Sequence, residues 1–301
     1  MNLYLELFGY LGTALVIVSM MMTSVLKLRI INVCGGVISL IYSVLCHVWP
    51  VALLNACLVS INLIQILRHV MQQKRQTAEQ KHQGGFQDMK NYKNVVIFDH
   101  PLIRHKIAIL RDEKTSMKEF RELVEEITTL MTYESLKEDV PTTEIEVKTP
   151  LEVCRQTVVK DNSIVIVPIL RAGLGMVNGI HVLFPSARVG HIGMYRNEET
   201  LIPETYYCKL PSGIEDKLVV VVDPMLATGG SACDAIKLLK DKGCKHIKFM
   251  AIIGAPEGVT RVAEEHPDVN IYVSTLDREL NENGYILPGL GDAGDRLFGT
   301  K

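Results

Sequence analysis

Charged side chains are scarce in the first 67 residues of this 301-residue chain, although Asp, Glu, Lys and Arg make up 22% of the whole. The three exceptions are Glu6, Lys27 and Arg29. Apolar runs cover residues 7–26, 30–48 and 51–67. A helix needs about 20 apolar residues to cross a bilayer core, and the helices of a soluble bundle would show polar faces. Residues 1–67 are therefore predicted to form three transmembrane helices.

The basic residues predict the orientation of these helices. Lys27 and Arg29 lie between the first two apolar runs, and further lysines and arginines begin at Arg68. Basic residues concentrate in cytoplasmic segments, so we expect the amino end outside and everything after residue 67 in the cytoplasm. The chain would then be a multi-pass protein of the cell inner (plasma) membrane. The segment before the first run has no basic residue, which does not favour a cleaved signal peptide.

Three asparagines lie in or beside the apolar runs: Asn32, Asn55 and Asn62. Side-chain amides at membrane depth either form hydrogen bonds between helices or line a path for a solute. The sequence leaves both interpretations open.

Residues 68–92 are polar and rich in glutamine, and they contain the pair Gly84–Gly85. This composition is typical of a linker, which we expect to be helical beside the membrane and flexible at the glycines. Residues 93–301 follow as a separate domain, and Met89 is a possible start of an independent soluble protein. The seven cysteines form no C-x-x-C pair, which indicates reduced thiols. A net charge of −2 argues against a nucleic-acid partner.

Predicted strands and helices alternate in the domain 93–301. The strands are expected at Ile164–Leu170, Val189–Tyr195, Leu218–Val222, Ile247–Ile253 and Asn270–Thr275, and helices at Met117–Tyr133 and Ala232–Lys242. This alternation predicts an α/β fold with a largely parallel sheet. Ligands of such sheets bind at the carboxyl ends of the strands.

The stretch "VVVVDPMLATGGS", residues 219–231, places Asp223 directly after four valines. Four β-branched residues favour a strand buried on both faces. The small residues that follow let backbone N–H groups converge on a phosphate at a helix start, and the acid suits ribose hydroxyls. The stretch matches neither G-x-x-x-x-G-K-[ST] nor G-x-G-x-x-G. The alternative is an ordinary strand-to-helix turn whose small residues only permit close packing.

Three further loops carry candidate binding groups. "PILRAGLG" (168–175) places Arg171 beside small residues after a strand, which suits a diphosphate, although a solvated arginine at a helix start is the alternative. "MYRNEETLIPETYYCKLP" (194–211) is long and polar, as expected of a lid or of a disordered segment. "GYILPGLGDAGDRLFGT" (284–300) has five glycines, so its main chain can approach a flat ligand closely.

Together these stretches resemble the uracil phosphoribosyltransferase family over residues 93–301. "VDPMLATGGS" resembles that family's phosphoribosyl diphosphate motif, and "PILRAGLG", "GMYRNEET" and "GYILPGLGDAGDRLFGTK" match its other signature stretches in the family's order. Many phosphoribosyltransferases have two adjacent acids where this chain has Asp223–Pro224, and the single acid with proline is the form of the uracil branch. The resemblance implies the type I phosphoribosyltransferase fold. Residues 1–67 are similar to small bacterial inner-membrane proteins of unknown role.

The resemblance also implies a reaction, in which uracil and 5-phosphoribosyl 1-diphosphate (PRPP) give uridine monophosphate and diphosphate. The expected catalytic residues are Asp223, Arg171 and Arg196. The expected PRPP-binding residues are Arg171, Arg196, Asp223, Pro224, Met225, Leu226, Ala227, Thr228, Gly229, Gly230, Ser231 and Asp292. The expected uracil-binding residues are Ile286, Gly291, Asp292 and Ala293.

Mg²⁺ is the expected cofactor, held mainly by PRPP and water rather than by protein ligands. A GTP activator and a homo-oligomer are further expectations. Two other functions stay open. One is a component that takes up uracil and traps it as a nucleotide, which an uptake assay on the amino-terminal part would reveal. The other is a nucleotide-sensing regulator, and the near-neutral charge argues against its RNA-binding form.

Overall fold

The structure is a computed structural model of the chain, and it describes residues 3–89, 91–196 and 203–300. The chain divides into two compact units, residues 1–80 and 81–301. The boundary between the units falls inside the segment that we interpret as a linker. The three-part division of the chain into a membrane region, a linker and a soluble domain stays a prediction.

The first unit consists of α1 (Leu3–Met20), α2 (Val25–Leu45) and most of α3 (Trp49–Met89). The helix α3 continues through the predicted linker, including the Gly84–Gly85 pair where we expected flexibility. Glutamine, lysine and arginine are good helix formers, and their abundance around the pair offsets the cost of two glycines in a helix.

Two stretches of the described chain are long and apolar enough to cross a membrane, namely Val25–Leu45 and Trp49–Gln73. The apolar part of α1, Glu6–Met20, is shorter. The prediction of one continuous span over residues 7–26 is wrong, because α1 ends at Met20 and Ser24 is the N-cap of α2. Ser24 has an extended backbone, with φ −86° and ψ 116°, so the helix is interrupted inside the apolar run.

Lys27 and Arg29 consequently lie within α2 rather than in a connecting loop. The Arg29 Nη1 atom donates a hydrogen bond to Asn62 Oδ1 on α3 at 3.2 Å, and Asn62 Nδ2 donates to Leu58 O at 2.9 Å. Asn62 is buried. Of the two interpretations of the asparagines, hydrogen bonding between helices is the one that the structure shows for Asn62.

The described residues of the second unit form thirteen strands: β1 (Val95–Ile97), β2 (Thr142–Lys148), β3 (Val153–Val159), β4 (Ile164–Leu170), β5 (Arg188–Val189), β6 (His191–Arg196), β7 (Pro203–Lys209), β8 (Leu218–Val222), β9 (Met225–Leu226), β10 (His246–Gly254), β11 (Asn270–Leu276), β12 (Glu279–Leu280) and β13 (Ile286–Leu287). Its further helices are α4 (Pro101–Arg111), α5 (Met117–Ser135), α6 (Leu174–His181), α7 (Gly230–Asp241), α8 (Pro256–Glu265) and α9 (Ala293–Phe298), with a short 3₁₀ helix at Ile214–Asp216.

The main sheet has the strand order β1-β11-β10-β8-β4-β6-β7, and β5 and β9 pair with β4 and β10. Along this order only the β6–β7 pair is antiparallel. The predicted α/β fold with a largely parallel sheet is therefore confirmed. The short strands β12 and β13 form a separate pair, as do β2 and β3.

The central strand β8 is buried along its whole length. Val219 and Val221 belong to one buried cluster, together with residues of α7 and α8. Val220 and Val222 belong to a second cluster, together with residues of α5 and α6. Successive side chains of a strand point to opposite faces, so helices cover both faces of the sheet here, as the four valines predict.

Two elements differ from the sequence prediction. The strand predicted over Val189–Tyr195 is split into β5 and β6 at Gly190, whose N–H group donates to Ile166 O at 2.9 Å. Much of the loop predicted over Met194–Pro211 is a hairpin of β6 and β7, and residues 197–202 lie outside the described structure. The threonine and two tyrosines of β7 favour an extended conformation over a loop.

Candidate active site

The first part of the site is the turn after β4. Strands β4 and β8 pair in parallel with Pro168 opposite Val222, so Arg171 and Asp223 both follow strands that end at the same edge of the sheet. A Cβ atom on Gly173 would lie 2.5 Å from Val222 O, so this close approach of the two strand ends requires glycine. The predicted "PILRAGLG" turn therefore holds Arg171 beside the end of β8.

Asp223 is held by hydrogen bonds to its neighbours in the chain and in the sheet. Its N–H group donates to Met250 O at 3.2 Å, and its Oδ1 atom accepts from the Met225 N–H group at 3.3 Å. Burial raises the pKa of the Asp223 carboxyl to about 7, and the negative charge of Asp292 adds to that rise. The hydrogen bond from Met225 acts in the opposite direction. The carboxyl is therefore poised to exchange a proton near neutral pH.

The phosphate loop, residues 224–231, lies between β8 and α7. Ile253 N donates to Pro224 O at 3.0 Å and Ala255 N donates to Leu226 O at 2.9 Å, which fixes the start of the loop against β10 and the residue after it. Gly229 has a φ of +78° and is the N-cap of α7. The first N–H groups of a helix have no partner inside the helix, so the end of this loop offers an anion-binding site.

Helix α8 packs directly on the phosphate loop. A Cβ atom on Gly258 would overlap Ala227 O and would lie 3.1 Å from the Gly229 N atom. The loop therefore rests on bare backbone, which supports the shape of its phosphate-facing side.

The base loop, residues 286–293, begins with β13 and ends at α9. Gly289 and Gly291 have φ values of +66° and +80°, which glycine adopts readily and other residues rarely adopt. Asp292 is the N-cap of α9, and its Oδ1 atom accepts from the Asp295 N–H group at 2.9 Å. Ile286 and Ala293 are buried, whereas Gly291 and Asp292 are exposed.

The base loop meets the other two motifs. Arg171 Nη2 lies 3.9 Å from Asp295 Oδ1. A Cβ atom on Gly294 would lie 3.2 Å from Asp292 Oδ1 and 3.8 Å from Arg171 Nη2. Because the charge of Asp292 also acts on Asp223, the structure brings all three predicted motifs to one end of the sheet.

Arg196 is the last residue of β6, and its side chain lies outside what the structure describes. Strand β6 runs parallel to β4, with Gly193 opposite Leu170. The carboxyl end of β6 is thus on the same edge of the sheet as Arg171. The lid proposed over the polar stretch falls largely on residues 197–202 and so is not described.

Sequence reasoning missed the residues whose side chains bind the main chain of the base loop and fix its position. Asp277 follows β11 and forms a salt bridge with Arg111, the last residue of α4. Arg296 of α9 binds three backbone carbonyl groups. A carboxylate directly after a buried strand is the same signal that singled out Asp223, and it could have identified Asp277.

One cluster of described residues could hold a metal ion by the types of its side chains: Cys233, Glu265 and His266. The groups of this cluster already have other partners. His266 Nε2 lies 3.1 Å from Cys233 O, and Lys240 Nζ lies 3.2 Å from His266 Nδ1, so both ring nitrogens are engaged. Burial raises the pKa of the Cys233 thiol to about 12, which does not favour the thiolate that binds metals.

Comparison with known proteins identifies this arrangement. The family profile "Uracil phosphoribosyltransferase" matches residues 96–300. The chain belongs to this family. The uracil phosphoribosyltransferase of Thermoanaerobacter sp. (strain X514) is 61% identical over 210 residues, which cover 70% of this chain and 100% of the relative. That of Lysinibacillus sphaericus (strain C3-41) is 58% identical over 207 residues, or 69% of this chain and 99% of the relative.

A solved structure is similar to the family domain of this chain. The AQ2163 protein from Aquifex aeolicus superimposes with a TM-score of 0.66 and 41% sequence identity. The superposition covers 69% of this chain and 99% of the Aquifex chain. The family profile begins at residue 96, so the apolar helices α1 and α2 are additional to the family domain.

Proposed function

We propose that the chain transfers the phosphoribosyl group of PRPP to uracil and forms uridine monophosphate and diphosphate. The observation that carries the proposal is the meeting of Asp223, Arg171 and Asp292 at one end of the sheet. Each of these residues belongs to a different motif, and each motif suits one part of the two substrates. Membership of the uracil phosphoribosyltransferase family supports the same reaction.

PRPP would occupy the edge formed by β4, β6 and β8. Asp223 binds the ribose hydroxyls, and the N–H groups at the start of α7 take the 5-phosphate together with the hydroxyls of Thr228 and Ser231. Arg171 binds the diphosphate from the turn after β4, and Arg196 closes over it from the end of β6.

Uracil would bind to main-chain atoms of Ile286 and of Gly291–Ala293 in the base loop. Uracil has an N–H group at N3 and a carbonyl group at position 4, whereas cytosine has an acceptor and an amino group there. Fixed main-chain donors and acceptors match only one of these edges. The wrong base leaves a buried polar group unpaired, at a cost of about 1–3 kcal/mol.

The reaction breaks the bond between ribose C1 and the diphosphate oxygen and forms a bond between C1 and uracil N1, which loses its proton. Positive charge builds on the sugar as the diphosphate leaves, as in glycoside hydrolysis. The chain therefore needs no nucleophilic side chain. Its residues hold the two reactants in line and stabilise the charge of the leaving diphosphate, chiefly through Arg171.

The residues present fit the expected Mg²⁺ ion. Asp223 and Asp292 place carboxylate groups at the same end of the sheet, close enough for the charge of one to act on the other. Mg²⁺ prefers oxygen ligands and keeps several waters, so we propose that PRPP and water hold it mainly, with these carboxylates beside it. When bound, the ion neutralises part of the diphosphate charge.

The experiment that tests this function is uracil-dependent release of diphosphate from PRPP. A wild-type protein without this activity would overturn the proposed reaction. Asp223→Asn should lower turnover about 100-fold or more and leave the fold intact. The matched control is Asp216→Asn, since Asp216 is exposed, lies before β8 and pairs with Lys245 at 3.0 Å. Near wild-type turnover of Asp223→Asn would remove the role given to Asp223.

We further propose that α2 and α3 anchor the enzyme in the inner membrane with its catalytic unit in the cytoplasm. Two spans joined by a short turn return the chain to its starting side, which places Lys27, Arg29 and the basic residues from Arg68 onward together. PRPP is a cytosolic metabolite, so the catalytic unit must face the cytoplasm to bind it. This topology places the amino end inside, unlike the three-span prediction.

The anchor is tested by fractionation and by protease protection. The full chain should stay with membranes in high salt, and release by salt would exclude insertion. A protease added to sealed cells should spare both the catalytic unit and a tag at the amino end. Cleavage of the tag alone would favour three spans, whereas cleavage of the catalytic unit would reverse the orientation.

A second function, uptake of uracil coupled to trapping as the nucleotide, is favoured by one observation. The first unit contains a cavity of about 360 Å³, and its lining includes the polar side chains of Glu6, Tyr42 and Asn55. Asn55→Leu should then reduce uptake of labelled uracil by cells and leave the transferase activity of the lysate unchanged. Equal uptake by the variant and the wild type would exclude this function.

A GTP activator and assembly into a homo-oligomer are further proposals that rest on the family resemblance. Turnover with and without GTP tests the first, and the mass of the purified protein in solution tests the second.

A further inference from the structure

Arg111 and Asp277 form an ion pair behind the base loop. Arg111 Nη1 donates to Asp277 Oδ2 at 2.8 Å, and the Arg111 Nη2 atom contacts Asp277 Oδ1. The two parallel contacts make the bidentate geometry that is specific to arginine and a carboxylate. The Asp277 side chain is only 3% exposed, so this charge depends on its partner.

The ion pair binds both main-chain groups of Gly289. The Gly289 N–H group donates to Asp277 Oδ2 at 2.8 Å, and Gly289 O accepts from Arg111 Nη1 at 2.6 Å. Gly289 lies between Ile286 and Gly291, the first two residues proposed to contact uracil. The pair therefore holds the middle of the base loop through its backbone, at a residue whose φ of +66° suits glycine.

Arg296 also joins the base loop to the end of α4, but it lies on α9 and not on α4. Its Nη1 atom donates to Leu110 O at 2.8 Å and to Leu290 O at 2.9 Å, and its Nη2 atom donates to Asp112 O at 2.6 Å. The guanidinium group also lies 4.3 Å from the centre of the Phe120 ring. Two arginines thus join the end of α4 to the base loop: Arg111, which lies on α4, and Arg296, which lies on the helix after the loop.

We propose that Arg111 and Asp277 are positioning residues for the base. They fix the Gly289 peptide, so the main-chain groups of Ile286 and Gly291–Ala293 present one arrangement of donors and acceptors to uracil. A main-chain recognition surface cannot adjust by rotating side chains, so its precision depends on what holds the loop. This inference rests on the proposed function, and neither residue touches uracil or PRPP in it.

The test compares the kinetic constants for the two substrates. Arg111→Gln should raise KM for uracil about tenfold, because it removes charge-assisted hydrogen bonds to Asp277 and Gly289. KM for PRPP should stay within about twofold of wild type, since the phosphate loop has other supports. Arg111→Lys keeps the charge but loses the bidentate geometry. Its KM for uracil should lie between the values of the wild type and of Arg111→Gln.

The control is Arg104→Gln on the same helix. Arg104 pairs with Asp99 at 3.1 Å, and both side chains are largely exposed, so this variant should behave as the wild type. Asp277→Asn supplies a second variant if Arg111→Gln does not fold. It keeps an oxygen that can accept from the Gly289 N–H group and loses the charge that holds Arg111.

The two KM values and the melting temperature together decide the inference. A rise in KM for uracil alone, together with weaker binding of uridine monophosphate in a calorimetric titration, supports it. Equal changes in both KM values, or a fall in melting temperature with unchanged KM values, would show that the pair only stabilises the fold. If both Arg111→Gln and Asp277→Asn fail to fold, the pair is a stability element and the inference is rejected. A wild-type protein that is inactive toward uracil refutes the proposed function instead.

Discussion

Burial and the negative charge of Asp292 both raise the pKa of Asp223, although Asp223 and Asp292 belong to separate segments that follow different strands. Burial is the larger cause, and together they bring the pKa of Asp223 to about 7. The unliganded protein therefore holds a mixture of protonated and ionised Asp223 at neutral pH. Binding of a cationic group beside Asp223 would expel the proton.

The first prediction concerns the dependence of activity on pH. The kcat/KM value for PRPP should rise with pH and level off above about 7, because this constant reports ionisations of the free enzyme and Asp223 must be ionised. Asp292→Asn removes a negative charge and should move the inflection to lower pH, whatever its effect on the maximal rate. An inflection that stays in place would show that Asp292 does not act on Asp223.

The second prediction concerns stability. The folded state holds the Asp223 proton more tightly than the unfolded state, whose pKa is near 3.8, so its contribution to stability is lost as pH rises from about 4 through about 7. The side chain of Asp223→Asn cannot ionise, so this variant should unfold at a higher temperature than wild type above pH 7, although its turnover is much lower. Thermal unfolding of both proteins across this pH range is the measurement. A less stable variant at high pH contradicts the raised pKa.

The third prediction concerns the support of the phosphate loop. Gly258→Ala should raise KM for PRPP and lower the melting temperature, because the added methyl group overlaps Ala227 O. Gly213→Ala is the control, since its Cβ atom would meet nothing within 4 Å although its φ is +69°. The control should lower stability by about 1 kcal/mol and leave KM unchanged. An unchanged KM for PRPP in Gly258→Ala would show that the packing of α8 on the phosphate loop does not affect PRPP binding.

The fourth prediction concerns Arg196 at the end of β6. Arg196→Ala should weaken the use of PRPP more than the binding of uracil, because Arg196 is the last residue of β6, which pairs with the strand that precedes Arg171, and it belongs to the polar stretch. Arg188→Ala is the control on β5, where Arg188 is exposed and donates to Asn162 Oδ1 at 3.2 Å. Initial rates at varied concentrations of each substrate give the two KM values. Equal rises in the KM values for both substrates would show that the polar stretch 194–211 has a structural role only.

The fifth prediction concerns the start of the catalytic unit. Met89 is buried in the core of this unit near Thr260, and Tyr92 donates to Glu264 Oε1 at 2.7 Å. A fragment that starts at Met89 should be soluble and active, since every motif lies beyond it. A fragment that starts at Lys93 should be active but less stable by about 2 kcal/mol, mainly from the lost burial of Met89. An insoluble or inactive 89–301 fragment would contradict an independent catalytic domain.

The strands Ile164–Leu170 and Leu218–Val222 could be predicted from the sequence to the residue. Both are continuous apolar runs that end at a polar or glycine-rich loop, so their period and their limits are visible locally. The hairpin β2–β3 is harder to predict, because Ile145 and Val147 alternate with charged residues only briefly and most residues of both strands are exposed, so little burial fixes the register.

The site divides in the same way. Asp223 and Arg171 were identifiable because each follows a strand and begins a loop of small residues. The ion pair of Arg111 and Asp277 joins residues 166 positions apart, and only the folded chain shows that they meet at Gly289. Apolar composition likewise predicts a membrane region, but it does not reveal the break between α1, which ends at Met20, and α2, which begins at Val25.

The first strand of the catalytic unit, β1, lies at the edge of the sheet and pairs with β11, the last of its long strands. Val95 is opposite Ile271, so the sheet stays incomplete until the ribosome has made nearly the whole chain. The apolar helices α2 and α3 leave the ribosome long before that moment. Pairings between residues far apart in sequence form slowly. Until β11 has been synthesised, β1 has no partner strand and exposes apolar surface. Insertion of the proposed anchor would therefore precede folding of the enzyme, which would complete its sheet while already attached to the membrane.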